Sequence, residues 1–274
     1  MRAAMAFVTR FAPSPTGYLH KGHAYSALTA YQAAKAADGR FLLRMEDIDR
    51  TRCRPEYETA VHEDLAWLGL EWETPVRRQS DHFDDYQGAL ERLRGMGLLY
   101  RCFRTRKEVL EDIGRAPHGL SDATLEPEAD PDRPFAWRLS LERARAHLGA
   151  RWNALRFTDE GQGVVQATPE LAGDVVLGRK DVGVAYHLAV VFDDALQGVT
   201  HVIRGRDLFE ATHVQVLLQA LLDLPTPVYR HHDLLSGPDG KRFAKRDRSQ
   251  TLRELRAQGM TAQALRRELG FGDA

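Results

Sequence analysis

The sequence predicts an α/β protein built around a parallel sheet, and three consecutive segments carry that prediction. Ala6–Ala12 has the pattern of a buried strand, the alanine-rich stretch from about Leu19 to Ala37 that of a helix, and Arg40–Asp49 that of a second strand. Strand, helix and strand in this order form a βαβ unit, whose strands pair in parallel through a right-handed crossover. Ligands of such sheets bind beyond the carboxyl ends of the strands. We therefore expect the functional crevice where Pro13–His23 and Glu46–Asp49 follow their strands.

The ends of these first elements have local causes. Ala12 and Ser14 each precede a proline, which disfavours helical geometry and stiffens the loop after the first strand. Gly17 permits a turn before the helix. The pair Asp38-Gly39 is typical of a helix end.

Two further helices follow in the first half of the chain. Pro55 can occupy the first turn of a helix that Gly69 ends, and another helix covers roughly 82–97. The segment 117–134 is rich in proline and acidic residues, which indicates a loop or an inserted module.

The second half predicts short strands and then helices. Runs of β-like character dominate 161–205, among them GDVVLGR, AYHLAVVFDD and THVIRG. A strong helix, FEATHVQVLLQALLDLP, ends ahead of Pro225, and 251–270 carries two short amphipathic helices.

Composition limits the function classes. The chain has 274 residues and a formal net charge of −1, so no global basic field announces nucleic acid, although a local basic face is compatible with it. Cys53 and Cys102 cannot form a disulfide framework, which fits a reducing compartment. The start of the chain has too short an apolar run for a signal peptide, and no stretch is long enough to span a membrane. We expect a soluble, cytoplasmic protein.

His20 and His23 lie three residues apart at the predicted helix start, so they share a helix face. The residues alone leave three interpretations open: a solvated or core pair, a metal site, and a phosphate site. No nearby cysteine or third histidine completes a metal site. A helix N-terminus presents unpaired N–H groups and a partial positive charge that attract phosphate, and Gly22 would let a nucleotide base approach the backbone. Position therefore favours phosphate binding.

A basic stretch late in the chain is the natural counterpart. The segment 236–249 joins a Pro/Gly turn to five basic residues, Lys241, Arg242, Lys245, Arg246 and Arg248. A charge run of this kind is either a solvated loop or a mobile clamp over a triphosphate.

Four segments together resemble the catalytic domain of glutamyl-tRNA synthetases, which are class I aminoacyl-tRNA synthetases: RFAPSPTGYLHKGH, RMEDIDRTR, AYHLAVVFDDALQGVTHVIRGRDL and KRFAKR. The resemblance implies a Rossmann-like catalytic domain with an inserted acceptor-binding-like α/β subdomain and a short helical C-terminal segment. It also implies that Pro13–His23 and Arg242–Arg246 are the two signature motifs of the class.

The resemblance divides the chain into four parts: 1–101 and 175–250 as halves of the catalytic domain, 102–174 as an RNA-binding-like insert, and 251–274 as C-terminal helices. Because the chain ends soon after the second motif, we expect no anticodon-binding domain. That matches a truncated paralogous family, the glutamyl-queuosine tRNA(Asp) synthetases. This family activates glutamate with ATP without tRNA and transfers it to the queuosine base at the anticodon of tRNA(Asp). The partners so implied are L-glutamate, ATP with Mg²⁺, and tRNA(Asp) carrying queuosine, for a monomeric protein.

The resemblance also implies roles for single residues. Glutamate binding falls to Arg10, Phe11, Ala12, Pro13, Ser14, Glu46, Tyr186 and Arg204. Planar guanidinium groups suit carboxylates, Glu46 matches the residue that holds the ammonium group, and an amide substrate would leave a buried positive group unpaired. Contact with ATP falls to His20, Gly22, His23 and Lys245, of which the two histidines and the lysine carry the catalytic role.

Three departures from the family pattern stand out. Lys21 takes a position that is usually apolar, so we expect it to face solvent or phosphate, and Ala244 replaces a small hydroxyl residue. Several relatives hold zinc in the insert through a C-x-C that aligns with YRCFRTR. Here only Cys102 is present, because Arg104 takes the second place and no cysteine follows. Arginine cannot replace a thiolate ligand, so we expect no zinc and no other metal site.

Alternative functions stay open at this point. The insert interleaves arginines with Trp137 and Trp152, which is compatible with RNA contact but equally with a helix surface over core tryptophans. The rival activities are a minimal glutamyl-tRNA synthetase that charges tRNA(Glu), a small-molecule nucleotidyltransferase with a similar H-x-G-H helix start, and a non-catalytic RNA-binding relative.

Overall fold

The computed structural model describes residues 6–104, 135–179, 183–235 and 250–272. The elements in these ranges are, in chain order, β1 (Val8–Phe11), α1 (Lys21–Ala36), β2 (Arg40–Met45), α2 (Pro55–Trp67), β3 (Glu73–Arg78), α3 (Phe83–Gly95), β4 (Leu99–Cys102), β5 (Ala136–Leu139), α4 (Leu141–Leu148), β6 (Arg156–Asp159), β7 (Gly163–Gln166), β8 (Val176–Gly178), α5 (Tyr186–Leu196), β9 (His201–Gly205), α6 (Phe209–Leu221), β10 (Val228–His232), α7 (Leu252–Ala257) and α8 (Ala262–Glu268).

The predicted βαβ unit is confirmed. Strands β1, β2 and β3 form a parallel sheet in that order, with α1 connecting the first pair and α2 the second. Helix α1 ends where the sequence predicts, because Asp38 adopts a positive φ of 47°. Gly39 then passes so close to β1 that an added Cβ would lie 2.4 Å from the carbonyl oxygen of Phe7. Only glycine fits there.

A second sheet continues the catalytic layer. Its strand order is β7, β6, β10, β9, with β10 parallel to both β6 and β9. The two sheets meet where the backbone N–H of Thr200, just before β9, donates to the carbonyl of Val8 in β1 at 2.9 Å. The carboxyl ends of β1, β2 and β9 therefore lie at neighbouring positions.

A third sheet is antiparallel and contains β4, β5 and β8 in that order. The proposed division at residues 102, 175 and 251 stays a prediction, and the acidic segment 117–134 lies outside the described residues.

One predicted element is wrong. The run AYHLAVVFDD has the composition of a strand, but Tyr186–Leu196 forms the helix α5. Leu188, Ala189, Val190 and Val191 are all buried. A helix that is enclosed on most sides loses its polar face, so its sequence resembles a buried strand.

The C-terminal helices α7 and α8, predicted as a pair, belong to the core around α1 and β2. Their leucines, among them Leu252 and Leu265, are buried with Leu28 and Leu43. The guanidinium of Arg266 donates to the carbonyl of Leu68 at 3.0 Å and so attaches α8 to the end of α2. Across the ranges given above, the helices are too short or too polar to cross a membrane.

Candidate functional site

The loops that follow β1 and β2 meet, as the sequence predicts. The backbone N–H of Glu46 donates to the carbonyl of Pro13 at 3.0 Å, and that of Arg54 donates to Pro15 at 3.1 Å. The proline loop is therefore fixed to the carboxyl end of β2. This places the start of α1 and the acidic end of β2 next to each other.

The two histidines form the N-terminal cap of α1. The Nδ1 atom of His20 accepts the backbone N–H of Gly22 at 3.1 Å, and the Nδ1 atom of His23 accepts that of His20 at 3.2 Å. The ring centroids lie 3.8 Å apart. Because each Nδ1 is an acceptor, the neutral tautomer of both rings carries its proton on Nε2. Both side chains are thus prepared as Nε2–H donors, which suits phosphate oxygens.

Gly22 lies tightly against the His20 ring. A Cβ at this position would lie 3.0 Å from the Cε1 atom of His20, so the ring would have to shift by a few tenths of an ångström. The glycine therefore leaves the orientation of His20 undisturbed.

From the sequence, Lys21 is expected to face either solvent or phosphate. In the structure it does not reach toward a phosphate site. Its Nζ forms an ion pair with Glu268 of α8. The same face of the loop is bonded to the start of α7, since the N–H of Leu252 donates to the carbonyl of Leu19 at 2.8 Å. The C-terminal helices therefore contact the start of α1 and the loop before it. The ion pair with Glu268 explains a lysine at a position that is usually apolar.

A buried cluster of charges joins β1, β2 and α5. Four of its members are linked by hydrogen bonds, and Asp193 lies 3.7 Å from Arg44 as a further one. Asp194 of α5 accepts from Nε of Arg10 at 2.9 Å and from Nη1 of Arg44 at 2.8 Å, and Arg44 also donates to Glu46 at 3.2 Å. All four side chains are less than a tenth exposed. The cluster fixes Arg10 and Glu46, two of the predicted site residues, through Arg44 and Asp194, which the sequence analysis missed.

The pKa values of the two carboxylates, Asp194 and Glu46, shift in opposite directions. Burial alone would raise the pKa of Asp194, but Arg10 and Arg44 together hold it below its ordinary value. Burial raises the pKa of Glu46, and the same two arginines offset only part of that effect. Asp194 is therefore stabilised in its ionised form within the cluster. The ionised form of Glu46 would be stabilised further by another positively charged partner.

Arg204, at the end of β9, is in a different situation. Its Nε donates to Nε2 of His231 at 3.2 Å, and its Nη2 donates to Thr212 at 2.7 Å and to Gln215 at 2.8 Å. Its Nη1 is buried and has no hydrogen-bond partner among the described residues. The side chains that accept its hydrogen bonds are neutral, and the Tyr229 ring lies 5.4 Å away. Within the described part of the chain, this buried cation has no carboxylate of its own.

Tyr186 begins α5 between these two sets of charges. Burial raises the pKa of its hydroxyl, while the charges of Arg204, Glu46 and Arg10 all act on it. The structure thus brings Arg10, Glu46, Tyr186 and Arg204 into one region from β1, β2, α5 and β9. Of the proline-loop residues, Phe11 and Pro13 are buried, whereas Ala12 is half-buried and Ser14 is exposed.

His187, next to Tyr186, yields a prediction on stability. Burial and the positive charge of Arg204 lower its pKa to about 4 from an ordinary 6.5. A depressed folded-state pKa contributes stability that is present above pH 6.5 and is lost as the pH falls toward 4. In urea unfolding, the stability of the native protein relative to a His187→Gln variant should fall by up to about 3 kcal/mol from pH 7 to pH 4.

The other histidines titrate in both proteins, so they cancel in this comparison. A difference between the two proteins that stays constant with pH would contradict the assignment of a buried, neutral His187.

Some predicted residues cannot be placed. Lys245 and the motif Arg242–Arg246 lie outside the described residues. Cys102 is buried in β4, and the residues after Arg104 that would complete a zinc site lie outside the described ranges, so the absence of zinc stays a prediction. Within the described ranges, no three His, Cys, Asp or Glu side chains gather into a group that could hold a metal ion.

Comparison with known proteins identifies this arrangement. Residues 6–271 match the family model for tRNA synthetases class I (E and Q), catalytic domain. The glutamyl-Q tRNA(Asp) synthetase of Rhodobacter capsulatus is 47% identical over 280 aligned residues, which cover 96% of this chain and 100% of that protein. Glutamate–tRNA ligase 1 of Ruegeria pomeroyi is 38% identical over 94% of this chain and 58% of its own length.

A solved structure agrees. The crystal structure of the glutamate–tRNA synthetase from Elizabethkingia anophelis superimposes with a TM-score of 0.73 at 26% identity, covering 88% of this chain and 53% of that one. The fold class predicted from the sequence is thereby confirmed. The chain belongs to the class I tRNA synthetases of the E and Q type, and it is an enzyme of the ligase type.

Proposed function

We propose that this enzyme activates L-glutamate with ATP to glutamyl-adenylate without tRNA, and then transfers the glutamyl group to the queuosine base of tRNA(Asp). The assignment of glutamate as the amino acid rests on the Nη1 atom of Arg204, which is buried and has no hydrogen-bond partner among the described residues. A buried guanidinium is costly without an anion, and a substrate carboxylate would supply that anion through charge-assisted hydrogen bonds. Glutamine would leave the group unpaired, which favours the acid over the amide.

The other end of the substrate is accounted for by Glu46 and Tyr186. Glu46 has a raised pKa that an ammonium group nearby would lower again, so the binding of a cationic amine stabilises its ionised form. The Tyr186 hydroxyl can add a directional hydrogen bond. Arg10 is already paired with Asp194. We therefore assign it a role in enclosing the site and not the main contact with the substrate carboxylate.

The activation step relies on the cap of α1. In adenylate formation, a carboxylate oxygen of glutamate attacks the α-phosphorus of ATP and pyrophosphate leaves. The Nε2–H groups of His20 and His23 stabilise the charge that develops on the phosphate oxygens. Lys245 is assigned to the departing phosphates on the family resemblance, and Mg²⁺ arrives with the nucleotide.

Gly22 gives a sharp test of this arrangement. Gly22→Ala should displace the His20 ring and lower the rate of glutamate-dependent ATP–pyrophosphate exchange by about 10- to 100-fold, because small misplacements at the reacting centre are costly. The matched control is Gly17→Ala in the same loop, since an added Cβ there meets nothing within 4 Å. Equal rates for the two variants would contradict the role given to His20.

The choice of acceptor rests on similarity. The match to the R. capsulatus glutamyl-Q tRNA(Asp) synthetase is at 47% identity, against 38% for the R. pomeroyi glutamate–tRNA ligase. A minimal glutamyl-tRNA synthetase is therefore the second candidate. Action as a monomer in the cytoplasm stays a prediction.

ATP–pyrophosphate exchange without tRNA tests the first half of the proposal. Exchange that requires glutamate, and that glutamine and aspartate do not support, is the expected result. Exchange that appears only after tRNA is added would refute the tRNA-independent step. No exchange under either condition would refute glutamate activation altogether.

A further inference from the structure

We infer that Asp159 and His231 are positioning residues for Arg204. Asp159 fixes the tautomer of the His231 ring, and that ring then orients the Arg204 guanidinium. The inference rests on the proposed binding of a glutamate carboxylate by Arg204. It adds two residues that lie behind the site, on β6 and β10, neither of which appears among the residues predicted from the sequence.

The hydrogen bonds define one chain of donors and acceptors. Nδ1 of His231 lies 2.7 Å from Oδ2 of Asp159, and Nε2 of the same ring lies 3.2 Å from Nε of Arg204. The Arg204 Nε–H can only donate, so Nε2 must accept and Nδ1 must carry the proton. All three side chains are less than a tenth exposed, so water does not compete for these bonds.

The ring is neutral in this chain. Burial lowers the pKa of His231 and outweighs the opposing hydrogen bond to Asp159. A protonated ring would lose its acceptor and face the Arg204 guanidinium as a second cation. The His231 ring therefore lies between the Asp159 carboxylate and Arg204. The carboxylate selects the tautomer of the ring but does not pair with the guanidinium directly.

This arrangement leaves Arg204 oriented but unpaired. Its Nε is held by His231 and its Nη2 by Thr212 and Gln215, so Nη1 is the nitrogen that remains for a ligand. If the His231 acceptor were lost, the guanidinium could rotate, and the nitrogen presented to the carboxylate would no longer be fixed.

Asp159→Asn is a selective test because the turn after β6 fixes the side chain. Oδ1 of Asp159 accepts the backbone N–H groups of Gly161 at 2.9 Å and Gln162 at 3.1 Å. In the variant the amide oxygen must keep these bonds, so the amide NH₂ faces Nδ1 of His231. That nitrogen then becomes an acceptor, and the proton moves to Nε2, where it opposes the Nε–H of Arg204.

The experiment combines kinetics with a spectroscopic readout. In ATP–pyrophosphate exchange, Asp159→Asn and His231→Leu should raise the KM for glutamate by about 10- to 100-fold while the KM for ATP stays within about twofold. His231→Gln should retain most of the affinity, because its amide can donate to Asp159 and accept from Arg204. Glu160→Gln is the control, since Glu160 is a neighbour that pairs with the exposed Arg230 instead.

The ¹⁵N shifts of the His231 ring report the tautomer whether or not the enzyme is active. A proton on Nδ1 in the wild type and on Nε2 in Asp159→Asn is the expected result. A wild-type ring protonated on Nε2 or on both nitrogens, or an Asp159→Asn variant with unchanged KM for glutamate, would overturn the inference. Absence of glutamate-dependent exchange in the wild type would instead refute the proposed function, and the tautomer would still decide whether the chain of hydrogen bonds exists.

Discussion

Replacing Arg204 by methionine should lower kcat/KM for glutamate activation by about 10²- to 10³-fold or more. Removing one partner of a buried, hydrogen-bonded charge pair costs about 2–5 kcal/mol, and here the second partner is the substrate carboxylate. Arg204→Lys should restore only part of the activity, because a lysine keeps the charge but not the planar set of donors. Steady-state ATP–pyrophosphate exchange across glutamate concentrations measures the effect.

The same change should leave the protein folded, with a modest loss of stability. Within the described residues Arg204 has no carboxylate partner, so its removal breaks no ion pair. Thr212 Oγ1 already lies 3.2 Å from Nε2 of His231 and can occupy that acceptor. Gln215 Oε1 loses its donor, so we expect the free energy of unfolding to fall by about 1–3 kcal/mol.

Arg206→Met is the matched control, since the Arg206 side chain is 58% exposed and pairs with Asp233. Equal kinetic losses in the two variants would contradict the role of Arg204.

Replacing Asp194 by asparagine should have the largest effect on stability. Its carboxylate is the shared partner of Arg10 and Arg44, and all three groups are buried. Breaking a buried pair from one side costs about 3–5 kcal/mol. Among the described residues Arg10 would lose its ion-pair partner, whereas Arg44 would keep Glu46 and Asp193. Urea unfolding at pH 7 should show this loss.

Asp223 offers a control with the same number of arginine partners at the surface. It contacts Arg92 at 2.6 Å and Arg151 at 3.8 Å, and its side chain is 66% exposed. Asp223→Asn should cost no more than about 1 kcal/mol, as exposed pairs do. If Asp194→Asn proved as mild as Asp223→Asn, the buried cluster would not be what holds β1, β2 and α5 together.

Local patterns in the first 100 residues predicted β1, α1, β2, α2 and α3, but not the strands β3 and β4. The proline loop, the helix α1 and the strand β2 all appear where the sequence places them, because their boundaries depend on prolines and glycines that act within a few residues. The meeting of the loops after β1 and β2 followed from parallel pairing alone.

Helix α5 was mispredicted for the opposite reason. Its burial is a property of the assembled protein, and a run of apolar residues does not reveal whether sheet or helix will enclose it. The same limit hid the partnership of Arg44 with Asp194, which are 150 residues apart in the chain. An acidic pair at the end of an apolar run was the available signal, since buried carboxylates require buried cations.

The candidate site was predictable residue by residue only through resemblance. Sequence patterns marked His20, His23 and Glu46 as polar groups at strand and helix ends. That Arg10 is internally paired while Arg204 is not depends on α5 and α6, and no local pattern reports it. Lys21 shows the same dependence, since its partner Glu268 belongs to the last helix.

The central claim is that the activated glutamate goes to queuosine, and glutamyl transfer tests it most directly. The assay supplies radiolabelled glutamate and ATP with tRNA(Asp) carrying queuosine, unmodified tRNA(Asp), or tRNA(Glu). Label that appears only on the queuosine-containing tRNA(Asp) is the predicted result. Label on tRNA(Glu) would contradict the claim and identify a minimal glutamyl-tRNA synthetase instead.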